Sequence, residues 1–310
     1  LQISQTPLAQ NGELDLGQWD LNKTGPVRLN GQWEFYWGAL LDPESSETPA
    51  MKEKTGFISI PGLWQQQKKG GRKGYATYRL KVSGITGSKP DTIYITSALS
   101  TCRLYVNGSL AGASGDVGKN KAGEHPFQHT LIAQFPAASS SLDIIIQVSS
   151  FHNVQGGINT PVWLGTAAQI RQMTTRVWMT TGILGGALLI IGAYHLIMYG
   201  LRRKEIVNLY FGLFCVLWAT QTLFGVNGGC LMAELFPSLP WRLSIDLTLL
   251  PYGMTTPLMV MFYHVIFPHP NSEKINRFYQ VMGGIYIAYI LVTPPNAFDG
   301  KVLLYLLTSF

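Results

Sequence analysis

The chain has 310 residues, a formal charge of +6 and only three cysteines, enough length for about two domains and too few thiols for a disulfide framework. Sixteen of the 23 Lys and Arg and twelve of the 17 Asp and Glu lie in residues 1–176, so the last 134 residues hold too few charges for a soluble domain. The net charge forms no basic stripe and accompanies no nucleic-acid-binding motif, which excludes nucleic acid as a partner.

Read from its start, the chain opens Leu1-Gln2-Ile3-Ser4-Gln5, without a basic or apolar leader, and its numbering is that expected of a mature chain after signal cleavage. Residues 1–170 then read as strands. Gly31-Gln32-Trp33-Glu34-Phe35-Tyr36-Trp37 is aromatic-rich, residues 76–82 alternate apolar with polar, and residues 91–99 and 142–151 are β-branched runs. Within residues 102–110, Asn107-Gly108 sits between two apolar runs, the strongest short hairpin signal. Gly and Pro interrupt these segments at short intervals, which predicts an all-β sandwich in one domain, without a helix of useful length.

This domain holds no nucleophile elbow, no phosphate loop and no His pair at metal spacing. Its carboxylates Glu34, Asp116, Glu124 and Asp143 are scattered. No catalytic residue, cofactor or metal is expected. Binding at the loop end of a sandwich needs aromatic faces and planar polar groups. By residue type the candidates are Trp64, Arg103, His125, His152, Asn153 and Trp163. Each has a plainer alternative: core or edge packing for the two tryptophans, a satisfied structural polar group for Arg103 and His152.

From residue 171 onward the chain is read as transmembrane. Residues 177–201, 206–228, 247–268 and 278–298 contain no Asp, Glu, Lys or Arg, and each reaches the roughly 20 residues that cross about 30 Å of hydrocarbon. The helices are expected at about 177–201, 206–226, 246–267 and 278–294, with a fifth, cut short, from residue 301. Arg202-Arg203-Lys204 and the loop holding Lys274 and Arg277 mark the cytoplasmic side, which puts residues 1–170 outside the membrane. Trp178, Tyr194, Tyr199, Tyr210, Trp241, Tyr263 and Tyr279 suit interfacial belts. Gly182 and Gly186 form a Gly-x-x-x-Gly step, read as packing within the chain with a homodimer as the alternative. Pro251 and Pro257 interrupt the third span. His195 and His264 are read as hydrogen-bonded packing residues rather than a proton path, and Arg242 with Asp246 as an i,i+4 pair. Cys102, Cys215 and Cys230 read as buried thiols, although a Cys102–Cys230 bond is conceivable.

The segments Leu29-Asn30-Gly31-Gln32-Trp33-Glu34-Phe35, Ile60-Pro61-Gly62-Leu63-Trp64 and Leu104-Tyr105-Val106-Asn107-Gly108 resemble the galactose-binding-like jelly roll of family-two glycoside hydrolases. With Tyr194-His195-Leu196 and Leu209-Tyr210-Phe211-Gly212-Leu213 in the first two spans, the whole is similar to bacterial seven-transmembrane receptors with diverse intracellular signalling modules. The resemblance implies an inner-membrane protein whose periplasmic jelly roll binds a small-molecule ligand, a carbohydrate being the class usually supposed. Seven helices would relay that event to a cytoplasmic output of histidine kinase, cyclase or phosphatase type beyond residue 310. A membrane-tethered protein associated with glycoside hydrolysis and a transporter with an accessory outer domain are the alternatives.

Overall fold

The computed structural model describes residues 6–41, 43, 54–67, 71–96, 101–127, 129–137, 140–153, 155–269 and 272–293. It divides into two units, Leu1–Thr175 and Arg176–Phe310. The first is an antiparallel β-sandwich of jelly-roll type, as the strand signals predict.

Its larger sheet is ordered β4 (Gly56–Ile60), β3 (Gly31–Trp37), β6 (Gly74–Ser83), β11 (Leu142–Ser150), β8 (Thr101–Val106) and β9 (Ser109–Ser114), with β1 (Glu13–Asp15) pairing parallel to the end of β6. The smaller sheet is ordered β10 (Leu131–Gln134), β7 (Thr92–Ile95), β13 (Val162–Gly165) and β2 (Val27–Arg28). A short ribbon, β5 (Gly62–Leu63) with β12 (Gly157–Ile158), completes the unit. The four-residue α1 (Leu21–Thr24) starts at Asp20, whose carboxylate accepts the Asn22 N–H in an N-cap.

The two-residue period of a strand explains the core. In β6, Ala76, Tyr78, Leu80 and Val82 face inward, and in β11 Ile144, Ile146 and Val148 do so. Trp33, Phe35 and Trp64 join them, all without solvent exposure. Burying each such side chain stabilises the fold by about 1.5–3 kcal/mol. The expected Asn107-Gly108 turn is present: both residues have positive φ, 49° and 86°, the signature of a two-residue hairpin of type I′, and it joins β8 to β9. Asn107 Oδ1 also accepts the Asp143 N–H at 2.8 Å, tying the turn to β11.

In the second unit, α2 (Ala167–Leu201, whose first turns lie in the sandwich unit), α3 (Ile206–Phe224) and α5 (Trp241–Ile266) are long and apolar enough to cross a membrane. A short 3-10 turn (Val226–Gly228) and α4 (Leu231–Leu235) separate α3 from α5. The expected fourth span is the helix α6 (Ser272–Val292), but it starts earlier, with Glu273, Lys274 and Arg277 in its first two turns. Those charges leave it short of the length and composition of a full span among the described residues. The rest of that stretch and the expected fifth span lie outside the described residues.

Two readings of this half change. The step that brings helices together is not Gly182–Gly186: Gly186 has open space around it, and Gly182 only touches Leu231. A Cβ on Gly185 would strike Leu223, and one on Gly192 would strike Val216 and the Gly212 carbonyl. Residues seven apart stay on one helical face, so Gly185 and Gly192, facing Gly212 of α3, make the close approach. The three cysteines are free and buried, and Cys102 and Cys230 are not joined.

Polar groups in this unit are paired as read. His195 Nδ1 lies 2.8 Å from Asn208 Oδ1, and His264 Nδ1 lies 2.7 Å from Ser272 Oγ. Arg242 Nε donates to Asp246 Oδ2 at 2.7 Å, while its Nη2 donates to the Ile290 and Thr293 carbonyls, each at 2.8 Å. One guanidinium thus holds the C-terminal carbonyls of α6, where a cation also suits the helix dipole.

Candidate site on the larger sheet

The outward-facing positions of β8 and β11 make the most polar surface of the sandwich that is also partly buried. Alternation puts Thr101, Arg103 and Tyr105 on the face opposite the core, beside Ser149, Gln147 and Ile145 of β11. Gln147 and Arg103 are direct cross-strand partners, which sets their Cβ atoms about 4.5–5.5 Å apart. On the other side of Arg103 stands Ala113 of β9, a methyl that leaves room.

One margin of this face is covered by residues 39–41. Thr77 Oγ1 donates to the Ala39 carbonyl at 2.8 Å and accepts the Leu41 N–H at 3.1 Å. Gln147 Nε2 donates to the Leu41 carbonyl at 2.8 Å. Gln147 is only 3 % exposed, and its Oε1 is buried without a hydrogen-bond partner. Unsatisfied buried acceptors are uncommon in native folds.

The upper margin is built on Glu124, 1 % exposed. Its Oε2 accepts the backbone N–H groups of Phe151 at 2.6 Å and His152 at 3.0 Å, and lies 3.0 Å from His152 Nδ1. A carboxylate only accepts, so Nδ1 carries the imidazole proton. Glu124 Oε1 accepts from Ser149 Oγ at 3.4 Å; that hydroxyl also meets Thr101 Oγ1 at 2.6 Å and accepts the Gly118 N–H at 3.1 Å. The carboxylate thereby ties loop 115–127 and loop 151–153 to the end of the same face.

Of the six candidates, this end gathers four. His152 and Asn153 follow directly on Phe151, and His125 adjoins Glu124. His125 Nδ1 is 3.3 Å from Asp116 Oδ2, with both side chains about 70 % exposed (72 % and 70 %), so the pair adds little stability. Arg103 lies one strand step below. Trp163 is on the smaller sheet, where Arg28 stacks over its ring at 4.6 Å, and it takes no part in this surface. Trp64 is a core residue: its ring lies 5.0 Å from that of Trp37, and its Nε1 donates to the Tyr78 hydroxyl. Burial also pushes the Tyr78 hydroxyl above the usual tyrosine range.

Three members of the surface escape a reading by residue type: Gln147, Ser149 and the anchoring role of Glu124. Gln147 carries a signal, being one amide inside the apolar run Ile144-Ile145-Ile146-Gln147-Val148. The hydroxyl and the carboxylate come together only through the fold. Among the described residues no group of three or more His, Cys, Asp or Glu is placed to hold a metal ion. What the surface can do is bind: it offers a guanidinium, amides, hydroxyls and an imidazole, set on a rigid sheet.

A family model described as 7TM diverse intracellular signalling matches residues 178–310. No curated protein matches the sequence. Among solved structures, a calcium-binding mutant of Bacteroides uniformis beta-glucuronidase 2 is similar over 45 % of this chain and 17 % of its own, at 19 % identity and a TM-score of 0.34. A GH2 beta-galacturonidase from Eisenbergiella tayi is similar over 46 % and 24 %, at 13 % identity and a TM-score of 0.32. Ruminococcus gnavus beta-glucuronidase is similar over 45 % and 28 %, at 12 % identity and a TM-score of 0.33. The chain thus corresponds to less than a third of each of these enzymes.

Proposed function

Residues 178–310 belong to the 7TM diverse intracellular signalling family, and from that membership we propose that this integral membrane protein is a ligand sensor. The β-sandwich binds a small polar ligand of the carbohydrate class on the surface around Arg103, Gln147 and His152, outside the inner membrane of a bacterium. The helical half passes the event to a cytoplasmic output, for which a kinase, cyclase or phosphatase module would serve. No catalytic role falls to the residues present.

The observation that carries this reading is the pairing of a signalling-family membrane half with a sandwich face that holds unpaired binding groups. A ligand signals only if it binds two states of the receptor unequally. Helix α2 offers the covalent route for that difference. Its first turn is fixed in the sandwich, where the Ala167 N–H donates to Asp91 Oδ1 at 2.7 Å and Gln169 Nε2 donates to the Leu21 carbonyl at 2.6 Å. The same helix then continues through the apolar stretch to Leu201.

A thermal titration tests the proposal. Purified chain in lipid nanodiscs is screened against neutral sugars, amino sugars and sugar acids, with tryptophan fluorescence of the sandwich as readout. A true ligand at 100 times its Kd stabilises the bound state by about 2.7 kcal/mol and raises the midpoint accordingly. Absence of any shift across all three classes removes the carbohydrate-sensor reading.

A further inference from the structure

Among the described residues, the cations on the outer face of the larger sheet are matched, with one exception. Arg79 makes a bidentate pair with Asp143, its Nε 2.9 Å from Oδ1 and its Nη2 2.7 Å from Oδ2. Lys54 reaches Glu34 at 3.4 Å. Arg103, partly buried in the middle of β8, has no ion pair, hydrogen bond or ring contact from its guanidinium among the described residues. Its neighbours on that face, Thr101, Tyr105, Ala113, Ile145, Gln147 and Ser149, carry no negative charge. The nearest carboxylate in this network, Glu124, is committed to Phe151, His152 and Ser149.

A guanidinium has five N–H donors and no acceptor, in a fork that fits a carboxylate bidentately. Beside it, Gln147 Oε1 is a buried acceptor in want of a donor. The two groups are complementary to one ligand type: a carboxylate next to a hydroxyl. We infer that the Arg103–Gln147 face takes a sugar acid, whose carboxylate pairs with the Arg103 guanidinium while an adjacent hydroxyl donates to Gln147 Oε1. Arg103 then sets the charge preference of the sensor and Gln147 its orientation. This deepens the carbohydrate-sensor reading and rests on it.

The probes are D-glucuronate and D-galacturonate against D-glucose and D-galactose, titrated into the whole chain in nanodiscs at constant ionic strength, by calorimetry and thermal shift. Uronates are expected to bind and the neutral sugars not. Arg103→Gln, which keeps length and hydrogen bonding, is expected to weaken uronate binding by about 10- to 100-fold while leaving the ligand-free midpoint in place. Gln147→Glu, which puts a carboxylate beside Arg103, should also abolish uronate binding, by satisfying the guanidinium from within. Neutral sugars binding as well as uronates, with Arg103→Gln silent, would overturn the sugar-acid inference and leave the sensor reading intact. Uronate binding that survives both substitutions places the site elsewhere and overturns it as well. Failure of all four probes overturns it too, and the wider screen above then decides the sensor reading on its own.

Discussion

Single residues in the sandwich are held by burial more than by charge. Cys102 is the clearest case: it sits in the core, and desolvation of the thiolate pushes its thiol up from 9.0 to about 12, with the hydrogen bond to the Ser114 backbone acting weakly the other way. Because the folded state holds the proton more tightly than the unfolded chain, this thiol's contribution to stability is whole below about pH 9 and is lost as the pH rises through about 12. The stability difference between the native protein and Cys102→Ala should therefore shrink with rising pH over that interval in thermal melts. A difference independent of pH would show that the thiol is not desolvated. Glu124 is the polar counterpart, a buried carboxylate that replaces water with two backbone N–H groups and an imidazole.

At the scale of elements, the contact of α5 with α6 rests on shape. A Cβ on Gly253 would lie 2.4 Å from the ring of Tyr286, which is 1 % exposed and donates its hydroxyl hydrogen to the Leu249 carbonyl at 2.8 Å. Pro251 and Pro257 flank that slot and remove two N–H donors from α5. Tyr286 thus inserts where the helix is interrupted and has no side chain. Gly253→Val should cost about 1–3 kcal/mol by overpacking, read as a lower midpoint of the helical unit. In Tyr286→Ala the same substitution should cost much less, and a double-mutant cycle with no coupling would show that the two residues do not pack. The Arg242 contacts to Asp246 and to the end of α6 fasten the same pair of helices at one end.

For the whole molecule, the orientation follows from basic loops and is a proposal about the cell. Lys119→Cys in the sandwich should react with a membrane-impermeant maleimide in intact spheroplasts, whereas Lys204→Cys, between α2 and α3, should react only after permeabilisation. The native cysteines, being buried, give little background. The reverse labelling pattern would invert the topology and place the binding face in the cytoplasm.

Local signals carried most of the fold. Strand alternation in residues 76–82, the Asn107-Gly108 turn and the charge-free stretches are short-range patterns, each set by one backbone period or by the thickness of a membrane, so they could be read from the chain alone. Helix ends were less legible: α6 begins in charged turns, because a helix continues for as long as its backbone is paired and does not stop where apolar residues do. The choice among glycines was also hidden, since Gly182 and Gly186 match a motif while Gly185 and Gly192 match a neighbour. Residue type nominated Arg103, His125, His152 and Asn153, but it also nominated Trp64, which the core absorbs, and Trp163, which the other sheet carries. By itself the sequence determined that this is a β-domain joined to a membrane domain, because hydrophobic period and span length are local quantities. Only the tertiary structure decided that Arg103 stands unpaired beside Gln147 under a loop tied down by Glu124, because that depends on strand register and on partners 23 to 44 positions away along the chain.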